Sequence, residues 1–287
     1  MARVTYARAL HSYYCHRGKW RGKVVAAIDS LADFSSVPFT HAAATRTMYR
    51  KGGGPAVIVM HEVPGITPEV ARFARYVADA GFTVFMPVLF GTPGKPDSIP
   101  YALGQMARAC VSREFAVLAE NRASPITDWL RALARQAHDE IGGRGVGAVG
   151  MCLMGNFALT LALDAWMLAP VLSQPSLPFA VTRRKAAAIH ASPETVKTLG
   201  RRAVDEGLSI LGLRFEGDPI CRQARFDTLA HALGDAFEAI VLPDRAANPA
   251  APKPPHSVLT LHLIDHDGEP TKEALRRVLA FLDEKLK

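Results

Sequence analysis

The sequence predicts an α/β fold in which helices cover both faces of a mostly parallel sheet. Short, continuous apolar runs alternate with longer amphipathic stretches along the chain, and two of those stretches begin with helix-capping residues. In addition, 287 residues with 49% hydrophobic side chains are enough for one large domain with a sizeable buried core.

Five apolar runs have the length and the composition of strands that are buried on both faces. The first follows a turn at Gly52-Gly-Gly54, and similar runs then recur along the chain. The predicted strands comprise residues 55–60, 82–86, 146–149, 208–213 and 237–242.

Amphipathic stretches of helical length lie between and after these runs. They comprise residues 68–80, 126–141, 153–163, 192–206, 221–233 and 271–286. Two of them have clear starts, since Thr67-Pro68-Glu69 and Ser192-Pro193-Glu194 each place a capping hydroxyl before a first-turn proline and a carboxylate. This alternation of strand and helix is typical of a parallel sheet with helices on both faces.

The beginning of the chain differs from the rest. Residues 1–44 have weak periodicity and are interpreted as an N-terminal extension of unknown role, and residues 45–287 as the α/β domain. The extension has no apolar stretch ahead of a small-residue cleavage site, and no apolar run in the chain approaches the roughly 20 residues of a membrane helix. We therefore expect a cytoplasmic protein, as a monomer or a small homo-oligomer.

Charge and cysteine content limit the classes of partner and cofactor that the sequence predicts. The formal net charge of +7 suits a small anionic ligand, but the basic residues are scattered and lack aromatic neighbours, so neither a nucleic acid nor a membrane is predicted as a partner. Cys15, Cys110, Cys152 and Cys221 lie far apart, without the paired spacing of a zinc site or a redox pair. We expect no metal, no cofactor and no disulfide framework.

One segment has the pattern of a nucleophile turn. Val146-Gly-Ala-Val-Gly-Met-Cys-Leu-Met-Gly155 reads as a buried strand, a sharp turn and the start of an apolar helix. Such a turn lifts a nucleophile above the sheet, and Gly150 and Gly155 let strand and helix approach closely. The helix start places backbone amides at the sulfur of Cys152, which favours the thiolate. Cys152 is therefore the candidate nucleophile, and the alternative is a small buried hydrophobic residue.

An acid and a histidine follow Cys152 in the chain order that this chemistry needs. Asp218 lies in the turn after the strand 208–213, and His256 lies in the loop after the strand 237–242. Asp218 would orient the imidazole, which would pair with the Cys152 thiolate. Taken alone, Asp218 could equally be a turn-forming residue, and His256 could equally be a surface histidine. The order Cys152, Asp218, His256 along the chain nevertheless favours a catalytic triad.

Other residues compete for these roles. Residues 257–264 also have the composition of a strand, which would deliver His266 as the base. His256 is preferred because a strand and a loop already follow the Asp218 turn in the expected order. His61 is a weaker candidate for the base, and Glu216 is a weaker candidate for the acid.

At these residues the sequence resembles the dienelactone hydrolase family of the α/β-hydrolase superfamily, whose nucleophile is a cysteine. The resemblance rests on Gly150-Met-Cys152-Leu-Met-Gly155, on the pair His256-Ser257 and on the turn His61-Glu62-Val63-Pro64-Gly65. It covers roughly residues 45–286.

The resemblance implies the α/β-hydrolase fold and an enzyme similar to carboxymethylenebutenolidase. It implies that Glu62 interacts with the nucleophilic cysteine and helps to deprotonate it when substrate arrives; the alternative is a carboxylate paired with a nearby arginine. It also implies that the backbone N–H groups of Leu153 and Val63 form the oxyanion hole.

Two positions depart from the family pattern. Met154 stands where the family has a glycine, and the arginine that binds a substrate carboxylate shortly after the His-Ser pair is absent. Arg113, or else Arg108, is then the candidate cation for an anionic substrate, although a solvated basic residue is the favoured interpretation of each.

The main hypothesis is a cysteine-dependent hydrolase of a small carboxylic ester or lactone that works through a thioester intermediate. The two departures motivate a second hypothesis, a non-catalytic protein that binds a small ligand above Cys152. A third hypothesis, thiol-based redox sensing, needs Cys110 or Cys221 to approach Cys152 in the fold.

Overall fold

The computed structural model describes residues 27–98, 100–105, 125–180, 182–189 and 191–287. The strands in these ranges are β1 (Ser35–His41), β2 (Ala44–Gly52), β3 (Ala56–Met60), β4 (Thr83–Pro87), β5 (Val146–Met151), β6 (Met167–Ser173), β7 (Ile210–Phe215) and β8 (Phe237–Leu242). They form one sheet in the order β1-β2-β4-β3-β5-β6-β7-β8. β2 is antiparallel to β1 and to β4, and all other neighbours are parallel, so the mostly parallel sheet is confirmed.

Helices cover both faces of this sheet. Those with both ends in the described ranges are α1 (Pro68–Asp79), α2 (Pro125–Ile141), α3 (Gly155–Leu161), α4 (Arg183–Ala187), α5 (Pro193–Glu206), α6 (Gln223–Leu233) and α7 (Pro270–Leu286). Phe73 of α1 and Phe281 of α7 belong to the core on one face. Trp129 of α2, Phe157 of α3 and Phe226 of α6 belong to the core on the other face. The predicted layers are therefore present.

The two capped helix starts are confirmed. The Thr67 hydroxyl accepts a hydrogen bond from the Val70 amide at 3.3 Å, and α1 begins at the next residue, a proline. The Ser192 hydroxyl accepts a hydrogen bond from the Thr195 amide at 3.1 Å, and α5 begins in the same way. Each hydroxyl satisfies an amide that has no partner inside its helix.

Three strands were not predicted from the sequence. β1 and β2 form a hairpin of polar, largely exposed residues that lacks an apolar run. β6 contains Pro170, which has no N–H group for the ladder and is uncommon inside a central strand. The predicted division of the chain after residue 44 stays a prediction, and β1 on its N-terminal side is a strand of the same sheet.

None of the helices in the described part of the chain has the length and apolar character that a membrane crossing needs.

Candidate active site

The parallel strands end at the same edge of the sheet, and polar residues follow those ends. Because neighbouring parallel strands run in one direction, the residues that follow them are brought together in space. These residues are Glu62 after β3, Cys152 after β5, Gln174 after β6, Asp218 after β7, and His256 in the long connection after β8.

Cys152 lies in a tight turn between β5 and α3. Its φ of +53° is in the left-handed region, which is unfavourable for a residue with a Cβ atom. A Cβ atom on Gly150 would lie 2.2 Å from the carbonyl oxygen of Met154, and one on Gly155 would lie 2.6 Å from Cα of Pro175. The two glycines are therefore needed for the close approach that the sequence predicts.

Met154, the departure from the family pattern, fits this turn. Its backbone has helical angles, φ −84° and ψ −7°, and its side chain is fully buried in the core. The bulky side chain leaves the left-handed conformation of Cys152 in place.

We expect Gly150→Ala to lower the free energy of unfolding by about 1 to 3 kcal/mol, because the new methyl group meets a backbone oxygen that cannot rotate away. Gly200→Ala is the matched control. A Cβ atom there has no heavy atom within 4 Å, and alanine in the middle of α5 should raise stability by about 0.5 to 1 kcal/mol. Urea unfolding monitored by circular dichroism measures both, and wild-type stability of Gly150→Ala would contradict the close approach.

Asp218 is held in one orientation by three hydrogen bonds. Its Oδ1 accepts from the amides of Ile220 at 2.9 Å and Cys221 at 3.1 Å. Its Oδ2 accepts from Nδ1 of His256 at 2.7 Å. Asp218 is buried, and its two bonds from backbone amides fix the carboxylate independently of His256. Nδ1 of His256 therefore carries a proton, and Nε2 is directed away from the carboxylate.

His256 lies between Asp218 and Cys152. Burial alone would lower the pKa of His256, but the nearby Cys152 sulfur and the Asp218 carboxylate raise that pKa well above 6.5. The raised pKa favours the imidazolium form of His256, which places a cation next to the Cys152 sulfur.

Ser176 completes the surroundings of the imidazole. Its hydroxyl oxygen is 3.4 Å from Nε2 of His256, and its amide donates to the carbonyl of Cys152 at 3.0 Å. The hydroxyl donates in turn to the carbonyl of Gln174 at 2.9 Å. The end of β6 thus contacts both the nucleophile and its base.

Glu62 lies beside this group, buried and bonded to neutral donors. The hydroxyl of Ser257 donates to its Oε2 at 2.7 Å, the hydroxyl of Thr260 donates to its Oε1, and Nε2 of Gln174 donates to its Oε2 at 3.2 Å. Burial raises the pKa of Glu62, and the two hydroxyl bonds oppose that rise. In the described part of the chain these three side chains hold Glu62, so the alternative of an arginine pair finds no support there.

Gln174 was missed by the sequence analysis. It is fully buried with φ +37°, and its Oε1 accepts the amide of Val258 at 3.4 Å while its Nε2 reaches Glu62. One side-chain amide thus links the turn after β3 to the loop of His256. Its sequence signal is Ser173-Gln-Pro-Ser176, which directly follows the apolar run of β6.

The two other candidate histidines are His266, which is exposed, and His61, which is already hydrogen bonded. Residues 257–264 form turns, and the amide of His262 donates to the carbonyl of Ser257 at 3.0 Å. The predicted alternative of a strand over these residues is therefore wrong. His266 is exposed, with Nδ1 3.0 Å from the carbonyl oxygen of Asp267. Both nitrogens of His61 are hydrogen bonded.

Of the predicted redox partners and substrate-binding cations, the structure describes Cys221. Cys221 is a buried free thiol, and burial raises its pKa to about 12. Such a thiol is unreactive at neutral pH, which gives no support to a redox partner for Cys152. Arg108, Arg113 and Cys110 lie outside the described residues.

The amides predicted for the oxyanion hole lie at two turns. Leu153 directly follows the nucleophile, and Val63 directly follows Glu62. Among the residues that the structure describes, neither N–H group has a hydrogen-bond acceptor. Both are therefore free to bind an oxygen of a ligand.

Comparison with known sequences identifies the same family as the motifs. The model of the dienelactone hydrolase family matches residues 43–236 of this chain. A curated protein of Saccharomyces cerevisiae named "Putative carboxymethylenebutenolidase" is 24% identical over 116 residues, which are 40% of this chain. The match spans only 41% of the length of that relative.

Solved structures show the same fold. The crystal structure of a "Putative Dienelactone Hydrolase" from Klebsiella pneumoniae subsp. pneumoniae is 20% identical, with a TM-score of 0.59, and the match covers 88% of this chain and 98% of that one. A dienelactone hydrolase-like promiscuous phosphotriesterase from metagenomic libraries is 17% identical, with a TM-score of 0.55 and the same coverage. At this level of identity the likeness concerns the fold alone, which is that of the α/β-hydrolases.

Proposed function

This chain belongs to the dienelactone hydrolase family, and on that premise we propose that it hydrolyses a small carboxylic ester or lactone with Cys152 as the nucleophile. The observation that carries the proposal is the convergence of Asp218, His256 and Cys152, since Nδ1 of His256 is bonded to Asp218 and Ser176 contacts both the imidazole and the Cys152 carbonyl. The three residues come from separate parts of the chain and meet at one edge of the sheet. A cysteine that serves only to fill the core needs no such partners.

In the proposed first step, the Cys152 thiolate attacks the carbonyl carbon of the ester. The carbonyl oxygen becomes an oxyanion, which accepts hydrogen bonds from the amides of Leu153 and Val63. The C–O bond to the leaving group then breaks, and the leaving alkoxide takes the proton from Nε2 of His256. The products are a thioester on Cys152 and an alcohol, which stays attached to the acyl chain when the substrate is a lactone.

In the second step, water hydrolyses the thioester. Nε2 of His256, now without a proton, accepts a proton from water as the oxygen attacks the acyl carbon. The same two amides hold the oxyanion, and its collapse releases the carboxylic acid and the thiolate. The imidazolium and thiolate pair is thereby restored, with Asp218 bonded to Nδ1 throughout.

Glu62 has a supporting role in this proposal. The resemblance to the family assigns it to the deprotonation of Cys152 when substrate arrives. Burial raises the pKa of Glu62, and the nearby positive charge of His256 opposes that rise. Its bonds to Ser257 and Gln174 hold the carboxylate between the loop of His256 and the end of β6.

The substrate is proposed at the level of its reacting group. Arg113 stays a candidate for the recognition of an anionic substrate, in a stretch that the structure does not describe. Cytoplasmic location and a monomeric or small oligomeric state also stay predictions.

A trapping experiment tests the proposal. Reaction with p-nitrophenyl acetate, followed by an acid quench within the first turnover, should leave an acetyl group that peptide mass spectrometry locates on Cys152, because a thioester survives in acid. Cys221, buried and protonated, should stay unmodified and serves as the internal control. Turnover through an adduct on another residue would contradict the mechanism. Tight ester binding without turnover would support the non-catalytic alternative.

A further inference from the structure

His61 is a buried histidine that the proposed mechanism does not use. It follows β3 directly and precedes Glu62, and it is fully buried. Its Nε2 is 3.0 Å from the amide nitrogen of Leu89, and its Nδ1 is 2.9 Å from the carbonyl oxygen of Glu62. Since an amide can only donate, Nε2 must accept, and the proton of a neutral ring must then be on Nδ1. His61 therefore donates to the carbonyl of Glu62.

The surroundings keep this ring neutral. Burial lowers the pKa of His61 to about 4, and the nearby positive charge of Arg46 acts in the same direction. The ring of Phe90 packs edge-to-face against the imidazole, with the centroids 4.6 Å apart. At neutral pH His61 thus has one tautomer and one orientation, which suits a structural hydrogen bond and does not suit proton transfer.

The carbonyl that His61 holds belongs to the peptide unit whose N–H is that of Val63. In a trans peptide the C=O and the N–H point in opposite directions. The carbonyl of Glu62 also accepts the amide of Gly65 at 2.8 Å, so two donors fix it on one side. The N–H of Val63 is thereby directed to the opposite side, and it has no acceptor among the described residues.

We propose that His61 is a positioning residue that holds the Glu62–Val63 peptide so that the Val63 N–H can donate to the oxyanion formed at Cys152. The inference rests on the proposed function, because it needs an acyl substrate at Cys152. It is separate from the contacts of the Glu62 side chain, which Ser257, Thr260 and Gln174 hold from other loops. His61 acts on the backbone of the turn.

Two polar substitutions separate this role from general structural support. The amide nitrogen of asparagine occupies about the place of Nδ1, so His61→Asn keeps a donor to the Glu62 carbonyl. The amide of glutamine reaches the place of Nε2, so His61→Gln keeps a partner for Leu89 and loses that donor. We expect kcat for p-nitrophenyl acetate to fall about 10-fold to 100-fold in His61→Gln, with KM within about twofold, and to stay within about threefold of wild type in His61→Asn.

Alkylation of Cys152 by iodoacetamide is the second measurement. Displacement of iodide forms no oxyanion, so it needs the thiolate and not the Val63 amide. We expect the alkylation rate of His61→Gln to stay within about twofold of wild type while its kcat falls. His138→Phe, at a half-buried histidine on α2, is the control and should leave both rates unchanged.

Three results would overturn the inference. The first is an equal kcat in folded His61→Gln and in wild type. The second is an equal fall in kcat and in alkylation rate in His61→Gln, which would mean that the substitution acts on Cys152 and His256. The third is an equal loss in His61→Asn and His61→Gln with a matching fall in Tm, which would indicate general structural support. Failure of the wild type itself to turn over esters would instead overturn the proposed function, and this inference with it.

Discussion

Cys152→Ala is expected to lower kcat/KM for an aryl ester about 10⁴-fold or more, because it removes the atom that forms the bond to the acyl group. Loss of a catalytic nucleophile leaves only the small rate that binding and the oxyanion amides provide. Release of p-nitrophenolate from p-nitrophenyl acetate measures this rate, and an unsaturated lactone gives a second substrate whose ring opening is followed by absorbance. Removal of the sulfur should leave the fold intact, since alanine fills a similar position in the turn.

Cys221→Ala is the matched control for this prediction. Cys221 is the second buried free thiol among the described residues, and its thiol pKa of about 12 keeps it protonated. Its substitution should change kcat/KM by less than about threefold. If Cys152→Ala kept the wild-type rate, Cys152 could not be the nucleophile, whatever its surroundings.

The buried strands could be predicted because each is a continuous apolar run, and a parallel sheet then places the strand ends at one edge. From this logic alone, Cys152, Asp218 and His256 were expected to lie close together, and the hydrogen bond between Asp218 and His256 has that geometry. Short-range patterns determine this part of the site. The chemistry proposed for it is still a hypothesis about function.

The missed elements depend on contacts that a sequence pattern does not contain. β1 and β2 are polar and are stabilised by pairing with each other and with β4. β6 is a central strand despite Pro170, because its other residues pack in the core on both faces. Residues 257–264 have the composition of a strand but turn back on themselves, with Val258 and Leu259 buried. In each case tertiary packing overrides local propensity.

The partners of Glu62 show the same limit within the site. Ser257, Thr260 and Gln174 are separated from it by more than one hundred residues in the chain, and their side chains meet only because three strand ends converge. A family motif assigns Glu62 a role without naming these donors. The role proposed for His61 depends on the direction of one carbonyl group, which a sequence pattern does not contain.

His256→Gln is expected to lower kcat/KM about 10⁴-fold, because glutamine cannot give a proton to the leaving group or take one from water. Asp218 would keep its bonds to the amides of Ile220 and Cys221, so the loop should stay folded. The wild type provides a pH test of the same assignment. Since the pKa of His256 is raised well above 6.5, the imidazolium persists as pH rises through 6.5, and kcat/KM should not fall there.

His266→Gln decides between the two histidines that follow the Asp218 turn. His266 is exposed and contacts a carbonyl oxygen of its own loop, so its substitution should leave kcat/KM within about twofold of wild type. Both substitutions remove one imidazole and add one amide, so a difference between them reflects position and not composition. A large loss in His266→Gln with little change in His256→Gln would require the chain after β8 to rearrange when substrate binds, because only such a movement could bring His266 to the sulfur.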